Sequence, residues 1–194
     1  AGGQVGRALA AALPDATAWD RAAFDLAAFD STAFDDTAFD DTAPGPLDGW
    51  DVVVNAAAWT DVDGAEVHRA DAWRTNAAGP AALARAAAAS GSVLVHFSSE
   101  YVFDGTSPRP YREDDPVVRC VERRYLIRPT WVVGEGRNFV RTMLGLAARG
   151  IAPTVVDDQV GRLTFATDLA AAVATLLRDG APFGDYHVTG GGPP

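Results

Sequence analysis

Short apolar runs alternate along the chain with longer stretches in which apolar positions recur at three- and four-residue spacing. Residues 51–56 (Asp-Val-Val-Val-Asn-Ala) and 93–97 (Val-Leu-Val-His-Phe) read as short buried strands. Tyr125-Leu126-Ile127 opens a third strand that runs to Val133. Residues 7–13, 64–76 and 80–90 are alanine-rich and read as helices, the last with Pro80 at its start. Residues 138–149 form an amphipathic helix closed by Gly150. Thr167-Asp168 can cap a helix that continues to Leu177. Strands alternating with helices predict an α/β fold with a parallel sheet, and no linker divides the chain into independent domains.

Two stretches depart from this pattern. The opening Ala1-Gly2-Gly3-Gln4-Val5-Gly6 leads straight into a helix. Such a turn normally follows a strand, so further residues are expected upstream. In residues 21–40, Phe24, Phe29, Phe34 and Phe39 recur every five residues, each preceded by Ala and followed by Asp. That period fits neither the helix nor the strand. It resembles a pentapeptide-repeat coil, but four units make only about one coil, and such coils need stacked neighbours to bury a core. The segment is therefore expected to be an acidic surface insertion whose phenylalanines stay out of the main core.

Composition narrows the function classes. The 194 residues suffice for one sizeable core. A formal charge of −10 disfavours nucleic-acid and anionic-membrane partners, whose footprint is basic. The single cysteine, Cys120, excludes an intrachain disulfide framework. No apolar run reaches the ~18 residues of a membrane span, and no signal-peptide pattern opens the chain. A soluble cytoplasmic protein is the expectation. All 16 basic residues are arginine; lysine is absent.

Four motifs carry candidate chemistry. Gly3-Gln4-Val5-Gly6 matches the trailing half of a G-x-x-G-x-x-G loop. There glycine lets backbone approach a pyrophosphate and the helix start supplies amides; an ordinary glycine turn fits these residues as well. In Trp19-Asp20-Arg21 the carboxylate suits ribose hydroxyls and the arginine a 2′-phosphate, leaving NADH and NADPH both open beside a plain solvated loop. Asn55-Ala56-Ala57-Ala58-Trp59-Thr60-Asp61 follows a strand with small residues that suit either a close-lying cofactor or tight packing. His96-Phe97-Ser98-Ser99-Glu100-Tyr101 places hydroxyls and a carboxylate at a strand end, where open α/β sheets bind ligands. No His/Cys metal cluster is present, while a carboxylate-bound Mg²⁺ stays open.

In this order the motifs resemble the dTDP-4-dehydrorhamnose reductase family of the extended short-chain dehydrogenase/reductase superfamily. Its pattern runs through N-A-A-A-x-T-x-V-D, then S-[ST]-[DE]-Y-V-F-D-G, then P-Y-x-E, here Pro110 to Glu113. Arg128-Pro129-Thr130-Trp131, Arg137-Asn138-Phe139, the run from Asp157 to Thr164 and Tyr186-His187 extend the match over nearly everything outside the phenylalanine repeat. The resemblance implies a Rossmann-like NAD(P)-binding domain at residues 1–133, carrying the repeat at 21–40. It places a small C-terminal substrate lobe at 134–194, with a helix returning to the first domain. It implies reduction of the C4 ketone of a dTDP-linked 4-keto-6-deoxy sugar by NADPH or NADH, with a homodimer allowed. Carried over by position, Gly3, Gln4 and Val5 meet pyrophosphate. Asp20 and Arg21 face the adenosine ribose, with Asp25 and Leu26 beside adenine. Ala57, Ala58 and Trp59 line the cofactor cleft. Val62, Ser99, Glu100, Trp131, Gln159 and Arg162 face the sugar nucleotide, with Ser99 and Glu100 catalytic. The glycine turn, Ala57-Ala58 and Ser99-Glu100 should then share one crevice.

One family feature is missing. The superfamily's Tyr-x-x-x-Lys helix should lie between Pro116 and Tyr125, where eight residues cannot hold it, and the chain has no lysine to supply a displaced copy. Tyr125-Leu126-Ile127-Arg128 has the spacing but reads as a strand, on which residues three apart face opposite sides. Either a stretch of the natural chain is absent here, which predicts an interrupted backbone within 116–125, or the helix has been lost. Loss would suit a nucleotide-binding regulatory protein like the β subunit of methionine adenosyltransferase.

Overall fold

In the computed structural model the described residues are 2–29, 47–99, 123–155, 157 and 159–191. Helix α1 (Gln4–Ala12) is followed by β1 (Val52–Asn55), α2 (Val62–Val67), α3 (Arg69–Trp73) and a π-helical turn (Arg74–Ala78). Then come α4 (Gly79–Ser90), β2 (Val93–Phe97), β3 (Arg124–Arg128), β4 (Val132–Val133), α5 (Phe139–Ala148), β5 (Thr164–Phe165), α6 (Ala166–Arg178) and β6 (Gly184–His187). Strands β1, β2, β3 and β6 pair in that order, all parallel, and β4 pairs with β5 in a separate two-stranded parallel sheet. The architecture is a Rossmann-like parallel sheet flanked by helices, with further C-terminal strands and helices.

Side-chain alternation distributes the strands' residues between two cores. Val52, Val54, Val95, Tyr125 and Ile127 point to the face covered by α1 and α6, where they meet Leu9, Leu169, Ala170 and Val173. Val53 and Leu94 point to the other face, against Leu83, Ala84, Ala86 and Ala87 of α4. Pro80 in the first turn opens α4 as the residues predict, and the left-handed Gly91 closes it after Ser90.

Three expectations need correction. The third strand does not run to Val133: after Arg128 the chain turns through Pro129 and Trp131, whose φ of 34° is incompatible with a strand, and resumes as β4 in the second sheet. The helix expected at 64–76 is two short helices and a π turn. The last helix begins at Ala166 behind Phe165, with Asp168 in its first turn rather than at its cap.

The phenylalanine repeat also differs from expectation in its first half. Phe24 and Phe29 meet at a tilt with ring centroids 5.0 Å apart and pack on the α4-side core, and Leu26 between them is buried there with Leu47. Asp20 Oδ1 accepts from the amides of Ala22 and Ala23, and Asp25 Oδ1 from that of Ala27. Each of the two described units thus closes its own Asp-capped turn and turns its apolar side inward. Phe34 and Phe39 lie outside the described residues, as do residues 116–122 of the interval in which an interrupted backbone is expected.

Candidate active site

Because the four strands of the main sheet run parallel, Asn55, Phe97, Arg128 and His187 mark one end of it. The start of α1 lies beside the segment that leaves this end: a Cβ at Gly134, in the stretch that follows β3, would sit 3.4 Å from Gln4 Cβ. Gly3 is the N-cap in extended conformation and its carbonyl accepts from Arg7 N at 3.0 Å. No side chain caps this helix start and no acidic residue occupies its first turn. A Cβ built at Gly2 or Gly3 would meet nothing within 4 Å. Exposed backbone amides at the positive end of a helix dipole, with open space before them, suit a diphosphate.

Past the end of β1, Ala57 and Ala58 are exposed and Trp59 is held from behind. Trp59 N donates to Asn76 Oδ1 at 2.7 Å and Asn76 Nδ2 donates to Trp59 O at 3.0 Å, a two-point clamp on the backbone. The indole Nε1 donates to Asp61 O. Asn76 lies in the π-helical turn, a device that often re-aims a side chain near functional sites. Nothing in the sequence pattern singles Asn76 out, since its partner is 17 residues away.

Asn55 turns the chain out of β1. Its Oδ1 accepts from Ala57 N at 3.0 Å, so its Nδ2 faces His96 Nδ1, also at 3.0 Å. An amide nitrogen only donates, which makes Nδ1 the acceptor and leaves the ring neutral, with its proton on Nε2. Burial lowers the His96 pKa below its ordinary value, in agreement. Two residues on, Ser98 N extends the ladder to Ile127 O at 2.8 Å and delivers Ser99 half-buried beyond the strand end. Glu100 lies outside the described residues.

Trp131 has the one positive φ among described non-glycine residues, and its indole covers Gly161, where a Cβ would come within 2.9 Å of the ring. Thr130 Oγ1 donates to Arg162 O at 2.6 Å and Thr164 N to Trp131 O at 3.1 Å. Trp131, Gly161 and Arg162 therefore form one unit. The side of that unit toward solvent is open: Trp131 is 41% exposed, and Gln159 and Arg162 are exposed. Val62, 64% exposed, opens α2 behind an Asp61 cap.

Other sequence-predicted residues are placed differently. Leu26 is 5% exposed, and its side chain and carbonyl fill the space beside Gly79, so it belongs to the core and presents no surface to an adenine. Asp20 serves its own turn, and Arg21 pairs with Asp25 at 3.4 Å. Their neighbour Trp19 packs edge-on to Trp50 at 5.3 Å, two residues before β1 and thus at the sheet's amino end. Tyr125 and Arg128 have opposite faces of β3: the Tyr125 hydroxyl donates to Ala181 O at 2.7 Å, while Arg128 pairs with Asp185 at 2.7 Å. Gln4 uses its side chain on residues 137 and 138, whose loop lies 133 or more positions away. Among the described residues no group of three or more His, Cys, Asp or Glu is placed to hold a metal ion, and no helix is long and apolar enough to cross a membrane.

A parallel sheet wrapped on both faces by helices, with a glycine turn opening the first helix, defines a Rossmann-like domain of the extended short-chain dehydrogenase/reductase type. The model of the RmlD substrate binding domain matches residues 1–119 and 116–193, and the chain belongs to the dTDP-4-dehydrorhamnose reductase family. The two matched pieces meet where the Tyr-x-x-x-Lys helix is missing. A dTDP-4-dehydrorhamnose reductase of Streptomyces griseus is 43% identical over 73% of this chain and 54% of its own length. That of Aggregatibacter actinomycetemcomitans is 34% identical over 98% of this chain and 71% of its own. Among solved structures, the Clostridium acetobutylicum dTDP-4-dehydrorhamnose reductase superposes with a TM-score of 0.80 at 31% identity, covering 98% of this chain and 72% of that one. The Bacillus anthracis reductase in complex with NADP gives 0.78 at 26% identity, with the same coverage. The chain spans about half the length of the first curated relatives it matches.

Proposed function

We propose that this protein binds NADPH or NADH and reduces the C4 ketone of a dTDP-linked 4-keto-6-deoxy sugar, in deoxysugar biosynthesis in the cytoplasm. The observation that carries the reading is the uncapped start of α1, open in front of Gly2 and Gly3, in a parallel sheet whose strands β1 and β2 lead out at one end to Ala57, Ala58 and Ser99. The reduced dinucleotide, when bound, supplies the hydride. In this reading the amides of Gly3, Gln4 and Val5 hold its diphosphate, and Ala57, Ala58 and Trp59 line its path. Ser99 donates a hydrogen bond to the substrate carbonyl oxygen and holds it as negative charge develops. Glu100 relays a proton to that oxygen. Val62 and Trp131 bracket the sugar nucleotide, and Gln159 with Arg162 faces its diphosphate, for which a guanidinium is well matched. The net charge of −10 supports the exclusion of nucleic acid and anionic membrane as partners. A homodimer is compatible with this reading.

A specific observation favours a second reading. The chain has no lysine, and Tyr125 is buried with its hydroxyl committed to Ala181 O. A chain that keeps the nucleotide cleft without the proton-donating pair suits a regulatory subunit.

Titration of the chain with NADPH and with NADH, followed by turnover of the dTDP-4-keto-6-deoxy sugar, separates the two. Oxidation of the dinucleotide dependent on the sugar supports the reductase. Ser99→Ala should then lower kcat by about 100- to 1,000-fold, as for loss of an oxyanion-hole donor, with KM little changed. Binding without turnover supports the regulatory reading, and no binding of either dinucleotide defeats both.

A further inference from the structure

Gln4 stands in the glycine turn, yet its side chain does not face the open space before that turn. Its Nε2 donates to Arg137 O and its Oε1 accepts from Asn138 Nδ2, each at 3.2 Å. Asn138 is the N-cap of α5: its Oδ1 accepts from Arg141 N at 3.0 Å while its Nδ2 also donates to Gly134 O at 2.9 Å. One amide side chain thus starts α5 and grips the glycine turn. Two further contacts tie the same pieces together. Arg7, one turn into α1, donates to the carbonyls of both Gly2 and Glu135. Gly134 fits so closely that a Cβ there would meet Ala166 Cβ at 2.9 Å and Gln4 Cβ at 3.4 Å. By contrast α5 buries none of its residues. Only Val140, Met143 and Leu146 are half-buried, so α5 leans for its position on how residues 134–138 are held.

We propose that Gln4 and Asn138 form a positioning pair that transmits occupancy of the glycine turn to α5. A dinucleotide diphosphate drawn onto the amides of residues 3–5 steadies Gln4. Gln4 steadies the 134–138 turn, and Asn138 the first turn of α5. Coupling of this kind is reciprocal: whatever orders α5 tightens the dinucleotide by the same factor. The transmission rests on the dinucleotide reading above; the Gln4–Asn138 strut itself does not.

Hydrogen exchange on the whole chain, with and without saturating NADPH, tests both. Gln4→Met keeps the length and backbone amide and removes the polar group. Asn138→Ser keeps an N-cap oxygen but cannot reach Gln4. In the free protein each variant should exchange the amides of residues 139–148 roughly fivefold faster, the scale of an ordinary hydrogen bond or two, with residues 79–90 of α4 unchanged. NADPH should slow residues 3–9 and 139–148 in the parent, but only residues 3–9 in Gln4→Met. Unchanged exchange at 139–148 in both free variants overturns the strut. Full transmission of NADPH protection to 139–148 in Gln4→Met overturns the coupling. Failure of NADPH to protect residues 3–9 of the parent removes the dinucleotide reading, and the coupling with it, while the free-protein comparison still decides the strut.

Discussion

The two faces of the main sheet reach closure by different routes. The α1/α6 face is a continuous apolar layer in which Val95, Ile127, Leu169, Ala170 and Val173 are all at most 1% exposed. The opposite face divides. Over β1 and β2 it is covered by an alanine-lined helix, with Phe24, Leu26, Phe29 and Leu47 filling the volume that alanine leaves. Over β3 and β6 it carries charge: Asp185 bridges Arg124 at 2.6 Å and Arg128 at 2.7 Å, with the carboxylate 3% and Arg128 2% exposed at the side chain. The glycine turn belongs to the first face. A helix that must present its start at a fixed point is seated by non-directional burial along its length. The second face, which carries no such helix, is filled by local devices.

The contrast is broken most sharply at its charged end. Asp185→Asn leaves two guanidiniums facing a neutral amide in a buried setting and should cost about 3–5 kcal/mol, measured by denaturant unfolding. A loss below about 1 kcal/mol would mean that the bridge behaves like a solvated surface pair. On the apolar face, Leu169→Ala removes a side chain with no exposure and should cost about 3 kcal/mol, with part of the spread set by how far α1 and α6 can close the cavity. Because α6 packs on α1, the same substitution should weaken NADPH binding through the glycine turn, whereas Asp185→Asn at equal destabilisation should not.

Phe24→Ala probes the repeat. Phe24 is partly buried against the α4-side core, stacks on Trp19 at 5.6 Å and meets Phe29 at a tilt at 5.0 Å. Its truncation should cost about 1–2 kcal/mol, less than a full core site because part of the ring already meets water. No measurable loss would return residues 24–29 to the status of a surface insertion.

These magnitudes do not track how far each feature was legible in the sequence. Val52–Val54 and Val93–Val95 announce strands because apolar runs of that length can be satisfied in a parallel sheet, and Pro80 with Gly91 brackets a helix by backbone chemistry alone. The glycine turn is legible for the same reason. What escapes is set by partners far along the chain. Asn76 earns its position from Trp59, Gln4 from Arg137 and Asn138, and Arg128 from Asp185, 57 residues on. Leu26 reads as a ligand neighbour by position but is claimed by the space at Gly79. The five-residue period fits no standard element, so its inward side became evident only once Asp20 and Asp25 were seen to close successive turns.

The smallest effect lies at the strand ends. His96 follows Val95 and so points to the α4 side, where its Nδ1 accepts from Asn55 Nδ2 at 3.0 Å. Burial holds its pKa below the ordinary 6.5, so the folded ring stays neutral in a range where the unfolded chain has begun to bind a proton. The unfolded state then carries more protons, and the contribution of His96, complete above about pH 6.5, is lost as pH falls through the folded value. Protonation would also set an N–H of Nδ1 against the Asn55 amide, loosening the corner that presents Ala57 and Ala58. His96→Gln can retain an oxygen acceptor toward Asn55 without titrating. Unfolding free energies at about pH 7.5 and 5.5 should therefore differ less for His96→Gln than for the parent. Since His68 and His187 are present in both proteins, their contributions cancel in the comparison. An equal decline in the two proteins would show that the acid sensitivity of this sheet lies elsewhere than at the Asn55–His96 corner.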